Sequence, residues 1–188
     1  MAISSSKKQS PRRLMIMAGG TGGHIYPALA VAELWRQHGD EVVWLGTRGG
    51  LEAKLVPEAG IAVEWISIRG LRGKGLLSML LAPIRLLYAL LQSLVVIRRQ
   101  RPDVVLGMGG FVSGPGGVAA WILRKPLLVH EQNAIAGLTN RLLSHLSRQL
   151  LEAFPGTFPE SGNVVCVGNP LRSDLSGVAV ASPHRPLR

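Results

Sequence analysis

Short unbroken apolar runs alternate along this chain with longer segments in which apolar residues recur every three or four positions. The runs "LMIM" (14–17), "EVVWLG" (41–46), "VEWISI" (63–68), "VVLGMG" (104–109), "LLVHEQ" (127–132) and "NVVCVG" (163–168) read as strands, and "QLLEAF" (149–154) as a weaker seventh. Because they are continuous rather than alternating, they predict strands covered on both faces. Helical patterns follow at 24–38, 51–59, 76–99, 115–123 and 137–147. Strand, crossover helix and strand in repetition build a parallel sheet, so the expected fold is α/β: a doubly wound, Rossmann-like domain over residues 13–172. The basic, polar lead at 1–12 reads as disordered. Residues 173–188, small and proline-containing, read as a tail or a truncated interdomain linker.

The most apolar stretch runs from Leu76 to Ile97 and raises the question of a membrane span. Proline is best tolerated in a first helical turn, which starts the continuous helix near Pro83 and leaves about 22 Å of apolar length, short of a bilayer core. Ser78, Arg85, Gln92 and Arg99 also recur every seven residues and draw a polar stripe down the surface. A span is therefore not expected. Two readings stay open: a helix packed mainly on the sheet, or one that also meets an anionic membrane surface. In the second, Arg69, Arg72 and Lys74 on one flank and Arg98, Arg99 and Arg101 on the other would face the anionic leaflet.

Charge narrows the partners. Lys and Arg number 21 against 11 Asp and Glu, a formal net charge of +10 that suits an anionic partner. Aromatic residues make up only 5% and no nucleic-acid-binding motif occurs, so no nucleic acid is expected. Cys166 is the only cysteine, which rules out an intrachain disulfide and a cysteine-based zinc cluster, and suits a reducing cytoplasm. Neither a metal nor a cofactor is expected.

Candidate chemistry collects where predicted strands lead into helices: "AGGTGGH" (18–24), "GMGGFVSGPGG" (107–117) and "HEQNAIAG" (130–137). In a doubly wound sheet these carboxyl-end loops border one crevice. Glycines there let backbone N–H groups approach a ligand, and the helix dipole favours an anion such as phosphate. A dinucleotide fingerprint fails, since its third glycine would fall on Ile25 and no acid closes the second strand, which runs into "GTRGG". No Gly-Lys-Ser/Thr follows for a Walker A loop either. His24, at a helix start, is favoured neutral and able to accept a proton; it reads as a general base, a hydrogen-bonding group, or a histidine merely satisfied by local backbone. Glu131 and Asn133 are candidate ligand groups, since polar side chains ending a buried strand are costly unless they hold something. His130 reads equally as a satisfied core residue.

Five stretches occur in order: "MAGGTGGHIYPALAVA", "GLRGKG", "VVLGMGGFVSGPGGVAAW", "HEQNAIAGLTN" and "VGNPLR". Together they resemble the bacterial MurG glycosyltransferase family. That resemblance implies the N-terminal half of a GT-B enzyme that adds N-acetylglucosamine from UDP-N-acetylglucosamine to an undecaprenyl-pyrophosphoryl-muramoyl-pentapeptide in peptidoglycan synthesis. It implies inverting transfer, at the cytoplasmic face of the bacterial membrane. It carries Thr21, Gly22, Gly23, Asn133 and Arg172 over as substrate-binding positions and makes His24 and Glu131 functionally important; a base must take the acceptor hydroxyl proton as UDP departs, and His24 is the expected base, with Glu131 second. Gly109, Gly110, Ser113 and Gly114 become a possible acceptor-diphosphate loop. Phe111 departs from the family, where tyrosine is usual, so any hydroxyl role there is lost. The resemblance also implies that a C-terminal half is missing and that the isolated chain is inactive. The alternatives are an inactive module that binds a lipid diphosphate or a membrane and, further off, a nucleotide-dependent oxidoreductase.

Overall fold

The computed structural model describes residues 10–68, 80–160 and 162–171. The strands are β1 (Arg13–Met17), β2 (Glu41–Gly46), β3 (Ala62–Trp65), β4 (Val104–Gly107), β5 (Leu127–Glu131), β6 (Gln149–Glu152) and β7 (Val164–Cys166). They form one sheet in the order β3-β2-β1-β4-β5-β6-β7, every neighbouring pair parallel. The strand order reverses between β1 and β4, the point at which doubly wound sheets open a crevice at their carboxyl edge.

Both sheet faces are buried, as the continuous apolar runs require. Leu14 and Ile16 point one way, with Trp44 and Leu106, into Ile25, Ala28 and Ala32 of α1 (Gly22–Gln37) and Val56 of α2 (Glu52–Glu58). Met15 and Met17 point the other way, with Val43, Leu45 and Val105, into α3 (Ala82–Gln100), α4 (Ser113–Ile122) and α5 (Leu138–Leu143). The register pairs Met15 with Val43 and Val105, so side chains of one parity share a face across three strands. The result is a three-layer α/β/α domain, as expected from the sequence.

The differences are at element ends. The runs at 104–109 and 127–132 stop pairing at Gly107 and Glu131, β3 pairs only over Ala62–Trp65, and the helix expected at 137–147 is the single short α5. The weak run at 149–154 is a full internal strand, hydrogen-bonded to both β5 and β7. In α4, Gly116 and Gly117 serve packing rather than ligand approach. A Cβ at Gly116 would stand 2.3 Å from Met17 Sδ, and one at Gly117 2.6 Å from Leu143 Cδ2.

Helix α3 begins at Ala82 with Pro83 in its first turn. It buries Ala89, Ser93, Val96 and Ile97 against the sheet. Its polar stripe is tied to the β3 edge: Gln92 Oε1 accepts from the Ser67 N–H at 2.7 Å, and Arg99 pairs with Glu64. A further face exposes Ile84, Leu86, Leu87, Tyr88, Leu91 and Val95. No helix among the described residues is long and apolar enough to cross a membrane. Residues 1–9, the segment 69–79 with "GLRGKG", Ser78, Arg69, Arg72 and Lys74, and Arg172 with the expected tail all lie outside the described residues.

Candidate functional site

The three glycine-containing loops meet at the carboxyl edge of the sheet. After β1 the chain passes through Gly19 and Gly20 to Thr21, the extended residue capping α1, whose carbonyl accepts the N–H groups of His24 and Ile25 at 3.2 and 3.3 Å. The Thr21 hydroxyl makes no cap hydrogen bond and the residue is exposed. After β4 the chain turns through Gly110, with φ +85°, directly against the first loop: a Cβ there would lie 2.2 Å from the Gly19 carbonyl oxygen. The neighbouring Gly109 faces the His24 ring, with 2.9 Å from its ideal Cβ position to His24 Nδ1 and Cε1. Only glycines allow these two loops to touch backbone to backbone with an imidazole laid across them.

Two buried carboxylates brace the loops, and neither has a cationic partner in its hydrogen bonds. Glu52, at the start of α2, accepts from the Gly20 N–H at 3.1 Å and from the Thr47 N–H and hydroxyl at 3.1 and 2.7 Å, tying the first loop to the turn after β2. Glu131, at the end of β5, is fully buried. Its Oε1 accepts from the Asn133 N–H and side-chain amide, and its Oε2 from the Gly137 N–H and the Asn140 amide, at 2.8 to 3.1 Å. The expectation that Glu131 meets ligand as a base therefore changes. Both its oxygens are saturated, and it shapes the loop that presents Asn133 at the surface. Ser113 changes similarly: it is buried, and its hydroxyl lies 2.8 Å from both the Met17 and Gly109 carbonyl oxygens, turned away from the crevice. Gly114 lies beside it in the first turn of α4, against Thr139, and Phe111 is exposed.

His24 is half-buried. Its Nδ1 lies 2.9 Å from Gln132 Oε1, the Gln132 amide nitrogen lies 3.1 Å from His130 Nδ1, and His130 Nε2 lies 3.0 Å from the Gly168 carbonyl oxygen. Burial pushes the His130 pKa below its ordinary value, against the opposing pull of the Gly168 carbonyl and the Glu131 charge. Asn169 adds a second tie, donating to the Gln132 carbonyl at 3.1 Å. Four of the five motif stretches are thus brought together: "AGGTGGH", "GMGG", "HEQN" and "VGNP".

The sequence offered Glu52, Gln132 and Asn140 no role. An acid following a glycine pair at the carboxyl end of a strand was the available signal for Glu52, and a polar residue ending a predicted buried strand was the signal for Gln132; Asn140 carried none that distinguishes it from a solvated polar residue. No group of three or more His, Cys, Asp or Glu poised for a metal occurs among the described residues.

Comparison with known proteins gives the family. Residues 14–151 match the glycosyltransferase family 28 N-terminal domain. A curated relative from Nitrosococcus oceani, named UDP-N-acetylglucosamine–N-acetylmuramyl-(pentapeptide) pyrophosphoryl-undecaprenol N-acetylglucosamine transferase, is 63% identical over 163 residues, covering 87% of this chain and 45% of the relative. One of the same name from Alkalilimnicola ehrlichii is 58% identical over 180 residues, covering 93% of this chain and 50% of the relative. The chain thus spans about half the length of the curated relatives it matches. The crystal structure of Acinetobacter baumannii MurG superposes with a TM-score of 0.73 at 44% identity, over 82% of this chain and 45% of that one. A UDP-GlcNAc 2-epimerase from Methanocaldococcus jannaschii, at 14% identity and a TM-score of 0.61 over 84% of this chain and 45% of that one, shares the fold alone. The resemblance to MurG enzymes and the GT-B N-terminal fold are borne out, and the chain belongs to glycosyltransferase family 28 through that family's N-terminal domain.

Proposed function

We propose that this chain forms the acceptor side of an inverting N-acetylglucosaminyltransferase of peptidoglycan synthesis, acting from UDP-N-acetylglucosamine onto an undecaprenyl-pyrophosphoryl-muramoyl-pentapeptide. The observation that carries this reading is the meeting of the α1 N-terminus with the Gly109–Gly110 turn and His24. The free N–H groups of Gly22 and Gly23 begin α1, and the dipole of its 16 residues favours a diphosphate at that end. His24 beside them is the base that removes the acceptor hydroxyl proton while UDP departs. Thr21, with its hydroxyl uncommitted, and Asn133, held in one orientation by Glu131, contact substrate. Glu131 acts through that loop, and Gly109 and Gly110 let the acceptor-diphosphate loop lie against His24 and Gly19. Arg172 is retained as a substrate contact from the family resemblance. The groups that hold the nucleotide sugar are supplied chiefly by the part of the relatives that this chain does not match.

Membrane attachment belongs to the same proposal. The exposed face of α3, with Arg98 and Arg99 at its end, suits peripheral contact with an anionic leaflet at the cytoplasmic surface. That face also favours the second reading, a module that binds a lipid diphosphate or a membrane without turnover.

Transfer of radiolabelled N-acetylglucosamine to a short-chain lipid acceptor tests the proposal. The chain alone is expected to show negligible turnover, and turnover is expected once the remaining half of the Nitrosococcus oceani relative is supplied. In that reconstituted system His24→Gln is expected to lower kcat by about a hundredfold or more. Turnover by the chain alone at a full-length relative's rate would refute the division of labour, and an unchanged kcat in His24→Gln would refute the base.

A further inference from the structure

The three hydrogen bonds from His24 to Gly168 do more than fill a loop, because only one arrangement of their protons satisfies all of them. A carbonyl oxygen can only accept, so His130 Nε2, 3.0 Å from the Gly168 oxygen, must carry a proton. His130 is buried and its pKa is lowered, which leaves it neutral and its Nδ1 bare. A bare Nδ1 accepts, so the Gln132 atom 3.1 Å away is the amide nitrogen. The same nitrogen lies 3.2 Å from the His130 carbonyl oxygen, where an amide oxygen would be repelled. The side-chain orientation is therefore fixed by its surroundings, and the Gln132 oxygen faces His24. At 2.9 Å from that oxygen, His24 Nδ1 must in turn be the donor.

We propose that Gln132 is a positioning residue that holds neutral His24 in the Nδ1–H tautomer, leaving the lone pair of Nε2 as the one proton-accepting position of the ring. This rests on the reading of His24 as the base and deepens it: Gln132 selects which nitrogen does the work. His24 Nε2 makes no hydrogen bond to any described residue and is not among the buried unpartnered atoms, so it is open to a hydroxyl entering the crevice. A free imidazole prefers the opposite tautomer, with the proton on Nε2, in which that position would donate rather than accept. The chain from Gly168 through His130 and Gln132 reverses this preference without placing a charge beside the imidazole, unlike a carboxylate partner. It also explains why Gln132 is only 6% exposed in a loop whose neighbour Asn133 is exposed.

Nitrogen-15 NMR of the histidine rings in the 188-residue chain, at a pH where His24 is neutral, reads the tautomer directly. In the wild-type chain His24 is expected to show a protonated Nδ1 and a bare Nε2. Gln132→Met, which keeps the side-chain length but removes the acceptor, is expected to move His24 to the Nε2–H form. Gln132→Glu, which keeps an acceptor facing His24, is expected to retain Nδ1–H. A loss of local packing alone would not separate Met from Glu in this way. A wild-type His24 with its proton on Nε2, or the same tautomer in the wild type and Gln132→Met, overturns the proposal. If Gln132→Met does not fold, the wild-type tautomer and its retention in Gln132→Glu decide. Because the readout is a tautomer and not a rate, it can fail while His24 remains the base, and the base assignment can fail in the transfer assay while the tautomer stands.

Discussion

Replacing Gly110 with alanine tests whether the contact between the first two glycine loops is a true constraint. The substitution adds one methyl group and incurs two separate costs. At φ +85° an L-residue carries strain of about 1–2 kcal/mol. The new Cβ would also stand 2.2 Å from the Gly19 carbonyl oxygen, a backbone atom that cannot swing aside as a side chain can. Relieving that overlap means separating the loops, at about 1–3 kcal/mol on the scale of overpacked cores. Gly20 supplies the control: its φ is +90° but nothing lies within 4 Å of its Cβ position, so Gly20→Ala carries the strain and not the overlap. Gly110→Ala should therefore cost about 2–5 kcal/mol and Gly20→Ala about 1–2 kcal/mol. In urea unfolding, with a slope of about 2 kcal/mol per molar, the midpoint for Gly110→Ala should fall below that for Gly20→Ala by about 0.5–1.5 M. Equal midpoints at unchanged slope would mean that the two loops do not touch as described, and the geometry placing His24 over Gly109 would fall with them.

Three further outcomes are expected. Glu131→Ala removes the acceptor of four hydrogen bonds and leaves the buried Asn140 amide only the His130 carbonyl; it should destabilise the chain by about 3 kcal/mol or more and speed amide exchange across Leu138–Leu143, and near-neutral stability would contradict the bracing role. His130, whose folded pKa lies below its ordinary 6.5, takes up a proton in the unfolded state first, so stability should fall as pH drops below about 6.5 and level off below the folded pKa. His130→Asn should lose that part of the slope in urea unfolding, and an unchanged slope would refute the assignment. The chain should sediment with anionic but not neutral liposomes, and paired Leu87→Ser and Leu91→Ser substitutions on the exposed face of α3 should weaken it; binding indifferent to lipid charge would remove the electrostatic part of the argument.

The sheet was legible because burial on both faces writes itself as unbroken apolar runs; the runs beginning at Leu14 and Val104 could hardly be anything else. The ends of elements were less so, since "HEQ" extends an apolar run while the backbone leaves the ladder at Glu131. His24 and the glycine turns were legible from their position after strands. What could not be read was direction. Nothing in the composition of a loop says whether Glu131 or Ser113 turns outward to a ligand or inward to amides and carbonyls, because that depends on partners such as Asn140 and Met17, 9 and 96 residues away. Glu52 was hidden for the same reason: its partners Gly20 and Thr47 come from two different loops.

The carboxylates that brace the crevice are bonded to amides and a hydroxyl, whereas the ion pairs Arg13–Glu41 and Arg99–Glu64 lie away from it. Neutral partners offer dissolved ions little to compete for, and buried charges are weakly screened, whereas attraction between exposed arginines and a leaflet decays over about 10 Å at 0.1 M salt. Ionic strength is thus a selective reagent for this molecule. Raising it should strip the chain from a charged surface while the loops around His24 keep their shape, so that the attached and released forms present the same chemistry and differ only in where they are.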